Sequence, residues 1–353
     1  MSPLRRILLC LTVFAGLAWP ASAGAAEKAI WGPTHLPGGT SAFPMYDALG
    51  VDTYQLSLLW SDVASSRPAE PRNPNDPAYR WPAQFDFAVA EAQRHGIALA
   101  PVVMRTPAWA NGGRDPRWTP NDPQDYADFL TAATKRYPNI RRWQIWGEPS
   151  LGSNYQPGGY RASARAYAKL LDRAYVALKQ RSSNNKVIGG MTFSQEPVRF
   201  LQELRLRDGQ GPRPRLDWWG HNPFSARYPD GRSKTLSKYG RDINDLDVFA
   251  GELKRAYAPR GINPKLWISE YTVQSEHGSY AFNWYVSLAD QAKWVTQAYR
   301  LANRQSSVAG MGWLSLFDEP RRADRQEMRI GLRTFGGARK PAYAAYARVP
   351  SAR

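Results

Sequence analysis

The chain has 353 residues, of which 43% are hydrophobic and 12% aromatic, with a formal net charge of +17. That is enough apolar material for one large core and too much for a disordered chain. A single cysteine, Cys10, excludes a disulfide scaffold and a cysteine-rich zinc module.

Residues 1–26 read as a signal peptide. Arg5 and Arg6 precede an apolar run over residues 7–18, and "PASAGAA" follows as a small-residue cleavage region ending at Ala26. The run is too short to span a bilayer comfortably. The expectation is an exported protein, secreted or associated with the cell envelope, with no stable membrane insertion after cleavage. Residues 27–353 then form one domain.

In chain order, strands are expected at Lys28–Gly32, Asp52–Leu59, Ile97–Met104, Ile140–Trp146, Lys186–Met191, Leu216–His221, Lys265–Glu270 and Val308–Leu316. Helical periodicity marks Trp81–His95, Pro123–Tyr137, Gly159–Arg181, Glu196–Arg207, Asp242–Tyr257 and Trp284–Gln305, with shorter helices at Phe43–Leu49 and Pro341–Ala347. Eight strands each followed by a helical segment predict the α/β class and a (β/α)8 barrel in a single domain. A doubly wound open sheet is the alternative, but no glycine-rich phosphate loop follows the first strand. Gly96 and Gly261 read as helix-terminating glycines just before strands three and seven. The long loops instead follow strands, over 60–80, 105–122, 222–241, 272–283 and 317–340. In a barrel these share the carboxyl face, where active sites are built.

Two strands run into a carboxylate. The fourth ends "WQIWGEP" on Glu148, and the seventh ends "LWISEY" on Glu270. Strand alternation puts Gln144, Trp146 and Glu148 on one face, and Leu266, Ile268 and Glu270 on one face. Two carboxyls across a pocket can divide labour, one protonating a leaving oxygen and the other attacking a sugar carbon.

With those glutamates placed, the chain resembles the large clan of retaining (β/α)8 glycoside hydrolases, most closely its cellulase-like and xylosidase-like branches, families 5 and 39. The resemblance also rests on "GVDTYQLSLLWSDV" (50–63), "TPAWA" (106–110), "HNPF" (221–224), Trp313 and "GARKPAYAAY" (337–346). It implies that Glu148 is the acid/base and Glu270 the nucleophile, acting on a carbohydrate without a cofactor or metal. Three positions depart from the clan's pattern. Gly147 stands where Asn is usual, Gln55 where Arg is usual, and Phe224 where Tyr is usual. His221, Asn222 and Tyr271 are the candidates to hydrogen-bond Glu270 instead. Trp146, Gly147, Gln55, Trp109 and Trp313 complete the expected substrate-binding set. The departures leave a second reading open, a catalytically silent carbohydrate-binding barrel.

Arginine supplies 36 of the 47 basic residues. Arg227, Arg232, Lys234, Lys238 and Arg241 crowd the loop after strand six, and Arg321, Arg322, Arg325, Arg329 and Arg333 the loop after strand eight. A basic rim would favour an anionic glycan or an envelope surface. Nucleic acid is not an expected partner, since no basic helix or recognised binding module is present.

Overall fold

The computed structural model describes residues 25–207, 209–233, 237–321 and 327–353. The expected signal peptide thus lies almost wholly outside the described residues. Eight parallel strands close into a barrel in sequential order: β1 (Glu27–Trp31), β2 (Thr53–Leu59), β3 (Ala98–Met104), β4 (Arg142–Ile145), β5 (Lys186–Phe193), β6 (Trp218–Asn222), β7 (Lys265–Tyr271) and β8 (Val308–Trp313). β1 pairs with both β2 and β8, which closes the ring. This is a single-domain (β/α)8 barrel. No helix among the described residues is long and apolar enough to cross a membrane.

The outer helices are α1 (Phe43–Ala48), α3 (Ala83–Arg94), α5 (Pro123–Arg136), α6 (Tyr160–Arg181), α7 (Pro197–Glu203), α8 (Leu246–Tyr257), α9 (Leu288–Asn303) and α10 (Pro341–Ala347). Two short helices were not anticipated, α2 (Trp60–Val63) and α4 (Ala108–Asn111), both inside loops at the carboxyl face. Helix starts follow local chemistry. Asp122 accepts from the Gln124 amide, with Pro123 opening α5. Ser287 accepts from Asp290 at the start of α9. That cap moves the start of α9 four residues past Trp284, leaving Trp284 to the loop. Gly96 and Gly261 take left-handed φ of 64° and 65°, as helix-terminating glycines do.

Two apolar layers hold the barrel. The larger lies between strands and helices and includes Trp60, Trp143, Trp146, Trp219 and Trp313. The smaller fills the lumen with Ala29, Ala100, Val102, Ile188, Met191 and Trp267. Trp267 stacks on Trp218 at 5.5 Å. It leaves no room opposite: a Cβ at Gly310 would lie 2.3 Å from its ring. Above this layer the lumen turns polar. Gln55 accepts from Gln144, Trp267 and Ser269 and donates to the Ser269 carbonyl at 2.8 Å.

Candidate active site

The two strand-end glutamates reach the mouth by different breaks in strand geometry. β4 stops at Ile145, and the chain then takes positive φ at Trp146 (66°) and Glu148 (45°). Non-glycine residues seldom adopt this region, and such strain collects at functional sites. β7 carries a bulge. Ile268 pairs with Met311 and Tyr271 with Trp313, so three steps on β7 face two on β8. Simple alternation would have sent Glu270 outward with Leu266 and Ile268, which pack beneath the helices. The extra residue re-aims it, a common use of bulges beside active sites.

Asn222, the last residue of β6, joins the two glutamates. Its amide nitrogen donates to the Glu148 carboxylate at 2.9 Å, and its oxygen accepts from the Glu270 backbone amide at 3.2 Å. The other Glu148 oxygen accepts from Asn154 at 2.9 Å. Burial pushes the Glu148 carboxyl above its ordinary range, and the two asparagine amides oppose that shift. Glu270 has no such help. Among the described residues no donor reaches its carboxyl. Burial, then the charges of Glu148 and Glu319, raise it to about 8. Both glutamates keep partial solvent access. Burial thus disfavours the charged form of both carboxyls, and at Glu270 the neighbouring charge of Glu148 adds to it.

The remaining expected site residues divide. Asn222 stands at the centre. Gly147 lies beside Glu148, and a Cβ there would meet only the Met104 sulfur and Val102 at 3.7 Å, ordinary contact. Gln55 does not reach the mouth: it is fully buried and its amide is engaged within the lumen. Trp146 does not share the face of Gln144, because its left-handed backbone turns it outward. It packs edge-on against Tyr155 at 5.0 Å and donates to the Asn154 carbonyl. His221 is fully buried against Phe249, with Nδ1 at Thr192 and Nε2 at the Arg241 carbonyl. Burial lowers its pKa to about 4, so it is a neutral anchor for the loop after β6. Tyr271 and Trp313 are buried edge-to-face at 6.2 Å, and Trp313 donates to the Ile330 carbonyl. Neither offers a face to a sugar. Trp109 is half-buried in α4. It donates to the Ala64 carbonyl and lies under Arg67, stapling the loops after β2 and β3. Asn154 and Glu319 were missed. Nothing in the sequence marks either, since both belong to irregular loops.

Several cations of the basic loops are paired with acids where they are described. Arg227 pairs with Asp242, Arg232 with Asp230, and Arg241 with Glu252. Arg329 pairs with Glu276 and Glu327, while Lys340 pairs with Asp318 in a buried contact. Arg333 donates to the Gly337 carbonyl. Lys234, Arg322 and Arg325 lie outside the described residues.

No protein-family model matches the chain, and neither does any curated protein sequence. Solved structures do match. A family 39 glycoside hydrolase from Bacteroides cellulosilyticus WH2 superposes with a TM-score of 0.70 at 17% identity, over 93% of this chain and 64% of its own. A glucosidase from Croceicoccus marinus gives 0.64 at 14% identity, over 92% and 66%. The chain therefore spans slightly under two thirds of each of these proteins. A monomeric β-xylosidase from Caulobacter crescentus gives 0.57 at 17%, over 92% and 68%. The chain shares the barrel fold of these solved glycoside hydrolases. Within that barrel, the mouth carries the strand-end carboxylates described above.

Proposed function

We propose that this protein is an exported glycoside hydrolase that cleaves an O-glycosidic bond of a poly- or oligosaccharide by a retaining double displacement. The observation that carries the reading is the pair itself: two solvent-reachable carboxyls at the ends of β4 and β7, in residues bridged by Asn222, which donates to the Glu148 carboxylate and accepts from the Glu270 backbone N–H. In the order the resemblance implies, an ionised Glu270 attacks the anomeric carbon. The bond to the leaving oxygen breaks, and Glu148 gives that oxygen its proton. Water then enters, Glu148 takes a proton from it, and the hydroxyl displaces Glu270 from the sugar. The like charge of Glu148, which raises Glu270 in the free protein, vanishes when Glu148 is protonated. Positive charge developing on the sugar favours the ionised nucleophile further.

Anomeric NMR of the first product tests the mechanism, with p-nitrophenyl β-xyloside, p-nitrophenyl β-glucoside and a panel of plant and envelope oligosaccharides as substrates. A product of retained configuration supports double displacement; an inverted one removes it.

A second reading, a carbohydrate-binding barrel without turnover, is favoured by one observation. Gln55 brings no positive charge and is bound inside the lumen, so among the described residues no cation offsets burial at Glu270. Saccharide binding by calorimetry with no product from the same panel would select it.

A further inference from the structure

The excess positive charge of the chain is not spread evenly over the barrel. The carboxyl face holds the two glutamates. The opposite, amino face is made by the segments that run from the last turn of each helix into the next strand. Six of these, residues 133–142, 178–186, 200–218, 254–265, 300–308 and 344–353, contain 19 Lys or Arg against three Asp or Glu. The two that enter β2 and β3, residues 45–53 and 91–98, contain one cation and three acids. The rest of residues 27–353 is close to neutral, with 25 cations and 24 acids. We propose that the amino face, from the end of α5 round to the C-terminus, is a docking surface for a bilayer with anionic headgroups, which leaves the mouth pointing away from the lipid. This goes beyond the hydrolase reading and does not depend on it.

Cations at helix C-termini are common, because they complement the helix dipole. That accounts for a minority here: 12 of the 19 lie past the helix ends, in turns or at strand starts. The fold itself uses some of them. Arg213 is buried and donates to the Leu204 and Ala256 carbonyls, at the ends of α7 and α8. Arg142 pairs with Glu27, Lys179 with Asp217 and Arg215 with Asp172. By contrast Lys135, Arg141, Arg181, Lys254, Lys265 and Arg304 are exposed and have no carboxylate partner among the described residues. Like charges gathered on one side repel one another, and an anion brought against them relieves that repulsion. Their layout selects the anion. They follow the ring of turns that lead into β4, β5, β7 and β8, so they are spread in two dimensions and not along one line. A planar array of headgroups meets such a ring all at once, whereas a linear polyanion crosses only part of it. The exposed large hydrophobics, Tyr228, Tyr280, Tyr285 and Phe335, all lie in loops of the carboxyl face. Attachment through the amino face is therefore electrostatic, without an apolar wedge, and salt reverses it.

The test is co-sedimentation of the full chain with phosphatidylcholine vesicles, with and without about 30% phosphatidylglycerol. Two variants lose the same net charge from opposite faces. One combines Lys135→Gln, Arg141→Gln, Arg181→Gln, Lys254→Gln, Lys265→Gln and Arg304→Gln. The other combines Arg114→Gln, Arg161→Gln, Arg199→Gln, Arg232→Gln, Lys238→Gln and Arg339→Gln, all exposed on the carboxyl side. Residues 1–26 are identical in all three proteins, so their own affinity for lipid cancels. Wild type should prefer the anionic vesicles. The amino-face variant should bind them about 100-fold more weakly, since each cation against an anionic headgroup adds about fivefold. The carboxyl-face variant should lose less than about threefold, because its charges lie more than a Debye length of about 8–10 Å from the lipid. Melting curves of both variants check that they fold. Equal losses in the two variants, or wild-type binding that salt does not weaken, would overturn the docking surface. Tighter binding of wild type to DNA or polygalacturonate than to anionic vesicles, at equal charge concentration, would overturn the bilayer as its partner. Because binding is the readout, a chain that docks as expected but cleaves no glycoside sustains this inference while the hydrolase reading falls.

Discussion

Glu148 receives an amide N–H on each carboxylate oxygen, from Asn154 and Asn222, whereas no donor among the described residues reaches Glu270. Both are deeply set, so burial raises both; only Glu148 has hydrogen bonds that favour its ionised form. The two ends of the pair are thus built differently. The β4 end is a held carboxylate. The β7 end is aimed by a backbone bulge and left without a donor among the described residues.

The largest effect should come from deleting the β7 end. Glu270→Ala should lower turnover by about 10⁴-fold or more on every substrate, as loss of a central catalytic group does elsewhere. Glu148→Ala should lose about 10²–10⁴-fold on unactivated linkages and far less on p-nitrophenyl glycosides, whose leaving group needs little protonation. Steady-state kinetics of both variants on both substrate types separates the roles. Near-wild-type turnover by Glu270→Ala would falsify the nucleophile assignment.

The next effect is on stability and pH. A carboxyl at about 8 in the folded chain and near 4.5 when unfolded binds more protons in the folded state between those values. Its contribution to stability is therefore most favourable below about pH 4.5 and declines as pH rises through 8. Glu270→Gln removes that penalty. It should raise Tm at pH 9, by an amount on the order of 2–4 kcal/mol in stability, and change little at pH 4.5. Thermal melts at the two pH values decide it. Equal shifts at both would mean that Glu270 is not a strained carboxylate.

The barrel was legible because its signals are long and repeated: eight apolar runs, intervening helical periods, and glycines such as Gly96 and Gly261 where the chain turns left-handed. Glu148 and Glu270 were legible because each ends an apolar run. The orientation of their neighbours was not. Counting by twos placed Trp146 with Glu148, but a left-handed residue reversed it. The same counting could not see the extra residue between Ile268 and Tyr271. Gln55 looked like a site residue from its place in β2, yet the lumen above Trp267 is polar enough to engage its whole amide. Asn154 shows the remaining limit. It grips Glu148 from an irregular loop six residues on, and no periodicity reports such a contact.

Gly147 sharpens the contrast from the Glu148 side. Its neighbours, Val102 and Met104, make an apolar floor beside an otherwise amide-lined carboxylate, and the space accepts a Cβ without a clash. Gly147→Asn should fold with an unchanged Tm. It should lower kcat/KM on the best natural oligosaccharide about tenfold, since a side chain now occupies room beside the acid and a polar group faces Met104. Kinetics beside a melting curve test this. A rate equal to or above wild type would show that the gap plays no part in selectivity.

The smallest expected effect concerns charge, and it bears on the whole rim. The net charge of +17 invites an anionic ligand, yet charge acts on a ligand through its local balance. Arg199 in α7 and Arg227 and Arg241 in the loop after β6 each face an acid, and Arg329 faces two. A matched pair leaves a dipole whose reach is short, and added salt screens it little further once the Debye length is near 8 Å. KM for a neutral oligosaccharide should then change by less than about twofold between 0.05 and 0.5 M NaCl, because no counterions are released when an uncharged ring binds. An anionic substrate would behave otherwise. Its KM should climb steeply over that range. Parallel titrations with xylotetraose and with an oligogalacturonate separate the two. Tight, salt-sensitive binding of the oligogalacturonate would return the basic loops to the site and make the sugar beside Glu148 a charged one.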